Sequence, residues 1–219
     1  MGKAYVTKES LGEKAPKWLD SIDRKNTGKF PFDINNAVLL VIDMQRYFLE
    51  PSEHGYCPAG VAIIDNIKRL ICHFRENKRP VIFTRHAHKD DGSDLGILGR
   101  WWGDMPMDGT PEAELDERLG RKPDEVAITK NRYSAFFNTN LDKILKEQSA
   151  CDVVITGVMT NLCCESTARD AFFRDYTVRF MADATGAPTE EMHLATLRNL
   201  AYGFACIFMM NDILGSSVI

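Results

Sequence analysis

Six short apolar runs, separated by segments with helical periodicity, constrain the fold of this chain more than any other feature. They cover 37–42 (AVLLVI), 80–84 (PVIFT), 125–129 (EVAIT), 152–156 (DVVIT), 177–182 (TVRFMA) and 206–210 (CIFMM). The runs are rich in Val and Ile and do not alternate strictly, as expected of strands buried on both faces of a parallel sheet. Between the first two, Ile63, Ile64, Ile67, Leu70, Ile71 and Phe74 recur at three- and four-residue spacing and make one apolar helical stripe. Helical patterns also suit 138–148, 162–175 and 189–202. Strand alternating with helix implies βαβ units with right-handed crossovers in a single sheet. The expected fold is α/β, a six-stranded parallel sheet with helices on both faces.

Two segments stand outside that alternation. Residues 1–36 are polar, contain Pro16, Gly28 and Pro31, and read as an irregular N-terminal arm lying over a single domain at 37–219. The stretch 85–124 carries Gly92, Gly96, Gly99, Gly103 and Gly109 and reads as a long loop. Loops of that length in a compact domain are usually functional.

Charge excludes some partners. The 27 basic residues against 31 acidic ones leave a net charge of −4, with no basic block to attract nucleic acid or an anionic membrane. No apolar run approaches the roughly 20 residues that span a bilayer, and the first residues lack the apolar core of a signal peptide. The expectation is a cytoplasmic chain acting on a small molecule. Its six cysteines form no C-x-x-C pair, so reduced thiols are expected, mostly buried, with room for one to be a nucleophile.

In open α/β sheets ligands bind beyond the carboxyl ends of the strands. Asp43 follows the first run, Lys130 follows the third, and Gly157-Val158-Met159-Thr160 follows the fourth, with Cys163 at the start of a helical pattern. An acid, a cation and a thiol therefore emerge at one sheet edge. A helix N-terminus and a nearby lysine both favour a thiolate. A carboxylate in reach accepts the thiol proton and returns it to a leaving amine. Each residue also has a plainer role open to it: Asp43 as a helix cap, Lys130 as a solvated loop residue, Cys163 as buried packing.

The segments AVLLVIDMQRYFLEP (37–51), ITKNRYSAFFNTNL (128–141) and VVITGVMTNLCCESTARDAFFRDY (153–176) resemble the isochorismatase-like cysteine hydrolases, over roughly residues 30–212. That superfamily includes nicotinamidases, N-carbamoylsarcosine and ureidoacrylate amidohydrolases, and isochorismatases. The resemblance implies a triad of Asp43, Lys130 and Cys163, with Cys163 forming a thioester, Asp43 as base and acid, and Lys130 lowering the thiol pKa. It implies a cis peptide between Val158 and Met159, with the amides of Met159 and Cys163 as oxyanion hole. Gln45, Phe48, Trp102 and Tyr133 are expected to contact substrate, and Cys164 to be packing. The implied activity is cleavage of a C–N bond in a small carboxamide, ureido or carbamoyl compound. The alternative is isochorismatase-type vinyl ether hydrolysis with Asp43 as general acid, and a third reading is a redox pair of Cys163 and Cys164.

Nicotinamidases hold a metal through an Asp-x-His pair after the second strand and a further His near a Trp. Here that stretch reads Thr84-Arg85-His86-Ala87-His88, and Trp101-Trp102-Gly103-Asp104 lacks the later histidine. No metal and no cofactor are expected, and nicotinamide is disfavoured as substrate. Arg85, Arg100, Trp101 and Trp102 are candidates either for binding a planar acid or for anchoring an interface. Family habit, the paired tryptophans, and an arm carrying Trp18 and Phe30 lead to the expectation of a homodimer or homotetramer.

Overall fold

All six apolar runs become strands, because an extended segment buried on both sides satisfies its backbone only through neighbouring strands. The computed structural model describes residues 4–215; positions 1–3 of the arm and 216–219 of the domain lie outside the described residues. The strands are β1 (Ala37–Ile42), β2 (Val81–His86), β3 (Ala127–Lys130), β4 (Asp152–Val158), β5 (Thr177–Gly186) and β6 (Cys206–Phe208). They form one sheet in the order β3-β2-β1-β4-β5-β6, with every pairing parallel. Every residue of β1 and β4 is buried. Side chains alternate across a strand, so complete burial means that both faces at the sheet centre are covered.

The helices are α1 (Lys8–Asp20), α2 (Arg46–Leu49), α3 (Pro58–Ala62), α4 (Ile64–Glu76), α5 (Gly96–Trp102), α6 (Leu141–Glu147), α7 (Glu165–Phe172), α8 (Glu190–Gly203) and α9 (Met210–Leu214). The apolar stripe seen in the sequence is the face of α4 that buries Ile64, Ile67, Leu70, Ile71 and Phe74. It packs against β1, β2 and β5, while α7 lies on β5 and α8 on β6. Full burial of a large apolar side chain is worth roughly 1.5–3 kcal/mol, so an acidic substitution at Leu70 would undo this docking.

From β1 the chain steps outward to β2 and β3, then returns to place β4 on the other side of β1. That reversal opens a crevice at the carboxyl ends of β1 and β4, where a doubly wound sheet binds its ligands. Among the described residues no helix is long and apolar enough to cross a membrane.

The arm is not irregular. Thr7 and Ser10 form a reciprocal capping box that starts α1, and Pro16 lies inside the helix without ending it. An interior proline costs about 3 kcal/mol, and burial of Leu11, Ala15, Trp18 and Leu19 in the common core offsets it. The Trp18 indole donates to Glu190 at 2.7 Å, and Lys14 pairs with the same carboxylate at 3.0 Å. Trp18 is therefore spent within its own chain. The long loop also departs from expectation, since it contains α5 and two short 3-10 turns.

Candidate active site

Strand register gathers the site. Ile42, the last residue of β1, lies beside Gly157, and His86 at the end of β2 lies beside Lys130 at the end of β3. Asp43 then leaves β1 with φ of 48°, an uncommon conformation for a residue with a side chain. Gly157 has φ of 107°, and a Cβ there would fall 2.0 Å from the Ile42 carbonyl oxygen, so only glycine lets the strands meet. The Val158–Met159 peptide is cis. A π-helical turn, Thr160–Cys164, follows and runs into α7. Cys163 thus sits in a widened turn ahead of the α-helix proper.

The three chemical groups converge. Lys130 Nζ lies 2.7 Å from Asp43 Oδ2 and 3.4 Å from Cys163 Sγ. It also lies 3.0 Å from the Arg132 carbonyl and 3.3 Å from His86 Nδ1. Asp43 Oδ1 accepts from the Thr84 hydroxyl at 2.6 Å. Its Oδ2 makes the ion pair with Lys130, but at an angle that completes no hydrogen bond, which leaves an acceptor site open. Asp43, Lys130 and Cys163 are all buried.

Burial alone would strip Lys130 of its proton, but Asp43 and Cys163 beside it hold its pKa above the ordinary lysine value. For Cys163 the balance is the reverse. Burial pushes the thiol pKa up, and the opposing pull of Lys130 does not restore it. Lys130 acts on the thiol in the expected direction, and desolvation is the larger effect. The protonated thiol is favoured, with the Asp43 carboxylate close beside it.

Asp43, His86 and Cys163 bring one ligand atom each within 4.8 Å of one another. A metal does not fit them, because Lys130 Nζ already stands among those atoms and fills the place of a cation. His86 and His88 face each other with Nε2 atoms 3.1 Å apart. They are two donors only, beside a fixed ammonium and within the field of Arg132. Two imidazoles next to two cations are a poor metal site.

A cavity of about 390 Å³ opens onto Cys163. Phe48, Trp102 and Tyr133, the expected substrate contacts, line it together with Met159, and the Trp102 indole donates to the Tyr133 hydroxyl at 2.9 Å. Gln45 is not among the lining residues: its side chain is committed to the backbone of His86 and Ala113. Arg85 and Arg100 do not line it either, and Arg85 pairs with Asp108 at 2.6 Å. Tyr47, His54, Tyr56, Met105 and Met192 are among the other residues of the walls, and no spacing in the sequence marks them. His86, which the sequence marks at the end of the second strand, lines it as well. Cys164 is fully buried, with Sγ toward the Thr156 carbonyl, as expected of packing.

A buried thiol, carboxylate and ammonium therefore meet beside a largely apolar cavity that Cys163 lines. Residues 37–211 match the Isochorismatase domain family, and the chain belongs to that family of isochorismatase-like hydrolases. It is 42% identical over 188 residues to Nicotinamidase 3 of Arabidopsis thaliana, covering 82% of this chain and 90% of the relative. The structure resembles a cysteine hydrolase from Pseudomonas syringae pv. phaseolicola 1448A, with TM-score 0.82, 28% identity, and 85% and 94% of the two chains covered. It also resembles the pyrazinamidase of Pyrococcus horikoshii in complex with zinc, with TM-score 0.70, 30% identity, and 80% and 99% covered.

Proposed function

We propose that the chain hydrolyses the C–N bond of a small uncharged carboxamide through a thioester on Cys163. Asp43 takes the thiol proton as Sγ attacks the carbonyl carbon. The amides of Met159 and Cys163 receive the oxyanion. Asp43 then protonates the departing ammonia, and afterwards activates water to cleave the thioester. Lys130 stabilises each anion in turn. The observation that carries this reading is Lys130 Nζ bracketed by Asp43 at 2.7 Å and Cys163 at 3.4 Å.

The cavity narrows the substrate. Among the described residues no arginine or lysine lines it, so a carboxylate buried there would lose hydration without gaining a partner from them. That weighs against ureido acids and against the vinyl ether alternative, whose substrate is a dianion. The aromatic walls suit a planar neutral amide. The expectation against nicotinamide rested on missing metal ligands; the cavity and the relative called Nicotinamidase 3 make nicotinamide the first compound to assay. Ammonia release from neutral aromatic amides, with none from anionic ureides, is the expected result. Vinyl ether cleavage without amide turnover would replace this reading with the alternative.

We further infer a cytoplasmic single-domain enzyme that assembles as a homodimer or homotetramer. Trp18 and Trp102 no longer argue for assembly, because both are used within the chain. Trp101, 74% exposed on α5, still does. Light scattering that returns the mass of one chain would remove this inference.

A further inference from the structure

The triad does not end at Lys130. His86 Nδ1 lies 3.3 Å from the Lys130 ammonium, His86 Nε2 lies 3.1 Å from His88 Nε2, and His88 Nδ1 lies 3.2 Å from Asp94 Oδ1. Both imidazoles are buried. Asp94 is anchored in turn by the Lys89 amide at 3.0 Å and the Asn131 side chain at 2.8 Å. The chain thus runs from the buried ammonium to a partly exposed carboxylate on the loop after β2.

The chemistry of its two ends gives the chain one direction. An ammonium only donates and a carboxylate only accepts. Burial, followed by the nearby Lys130, holds His86 far below its ordinary pKa; burial also lowers His88, against the pull of Asp94. Each ring is then neutral, with one donor and one acceptor. His86 must accept at Nδ1 and donate at Nε2, and His88 must accept at Nε2 and donate at Nδ1 to Asp94.

The ammonium has three hydrogens and four neighbouring acceptors: the Arg132 carbonyl, His86 Nδ1, Asp43 Oδ2 and Cys163 Sγ. If the carbonyl and the imidazole each hold one, a single N–H remains for the two reacting groups. In the structure it is directed at Cys163 Sγ, and Asp43 Oδ2, paired with the ammonium by charge alone, stays open to accept the thiol proton.

We propose that His86, held by His88 and Asp94, is a positioning residue that fixes the rotation of the Lys130 ammonium, so that one N–H is aimed at Cys163 Sγ while Asp43 Oδ2 stays open for the thiol proton. The proposal rests on Cys163 as nucleophile and gives the H-x-H stretch a role that needs no metal. His88 is the informative position because it neither touches Lys130 nor itself lines the cavity. Leucine there fills similar space and leaves the His86 Nε2–H without an acceptor. Glutamine reaches about as far as the imidazole Nε2 and supplies an amide oxygen in its place.

The test is the rate at which iodoacetamide, itself a small neutral amide, alkylates Cys163. The rate is resolved by peptide mass spectrometry, with Cys163→Ala identifying the modified peptide. His88→Leu should slow alkylation on the order of tenfold, the size expected for one hydrogen bond to a charged group, while His88→Gln stays within about twofold. Equal slowing in both variants, or none in either, overturns the proposal, because a space-filling histidine predicts no difference between them. If His88→Leu does not fold, Asp94 at the partly exposed end gives the same comparison. Asp94→Ala should slow alkylation and Asp94→Asn, which still accepts from His88, should not; like behaviour overturns the proposal. No substrate is used, so failure of the proposed amide hydrolysis leaves this result standing. Unchanged alkylation in an active amidase would sink the positioning role alone.

Discussion

Gln45 grips the backbone of His86 from both sides: its Oε1 accepts from the His86 amide at 2.7 Å and its Nε2 donates to the His86 carbonyl at 2.9 Å. The same Nε2 donates to the Ala113 carbonyl at 2.8 Å. A side chain here replaces a strand neighbour and ties the segment after β1 to the end of β2. Gln45→Leu should therefore cost about 3 kcal/mol or more in urea unfolding, since three buried backbone groups lose partners at roughly 1–3 kcal/mol each. KM of the folded fraction should hardly move. Unchanged stability with a raised KM would return Gln45 to the substrate pocket.

The two adjacent cysteines should separate cleanly. Cys163→Ala should abolish amide hydrolysis, because only its sulfur reaches Lys130 and the cavity. Cys164→Ala should keep most of the activity and lose about 1 kcal/mol of stability, as a small core truncation does. Comparable loss of turnover in both would mean that the thiol is misassigned.

Lys130 and Asp43 are a buried ion pair, and removal of one member leaves the other charged and alone. Lys130→Met should be inactive and destabilised by about 3 kcal/mol or more. Adding Asp43→Asn to it should recover part of that stability and none of the activity. Thermal unfolding of both variants checks this, and no recovery in the double variant would contradict the pairing.

Activity should survive exhaustive chelation, because the Lys130 ammonium holds the place of a cation among Asp43, His86 and Cys163. Elemental analysis of the purified protein together with assays in chelator decides it. Stoichiometric zinc or iron whose removal stops turnover would refute the assignment, with His86 and His88 the first ligands to test.

Two buried groups should tilt stability in opposite directions with pH. Burial lowers His193 from 6.5 to about 4, and its rings of contact include the Thr160 hydroxyl at 2.9 Å and the Trp18 indole. Its contribution is complete above 6.5 and falls as pH drops towards 4. Burial raises Asp183 from 3.8 to about 6 despite the bond it accepts from the Met210 amide. Its contribution is complete below 3.8 and is lost as pH rises to about 6. Each is worth about 3 kcal/mol across its window. Melting curves of His193→Gln should gain on wild type as pH falls, and those of Asp183→Asn should gain as pH rises. Curves parallel to wild type would show that neither group is linked to folding.

The sequence by itself determined the layered fold and the chemical trio. Val- and Ile-rich runs buried on both faces have few architectures open to them, and residues at the carboxyl ends of such strands are forced to one edge. Asp43, Lys130 and Cys163 were legible for that reason, as was α4 from the period of its stripe. The tertiary structure decided what neighbours do to those residues. Trp18 reaches Glu190, some 170 positions away in the chain, and that contact lets α1 form through Pro16 in a segment whose composition reads as irregular. The walls of the cavity come from segments scattered between Tyr47 and Met192, so no local period records them. Whether Gln45 touches substrate or backbone, and whether Cys163 rests as thiol or thiolate, turns on distances and desolvation. Those are properties of the packed chain, because the energy of a buried polar group depends on which groups surround it in space and not on which precede it in sequence.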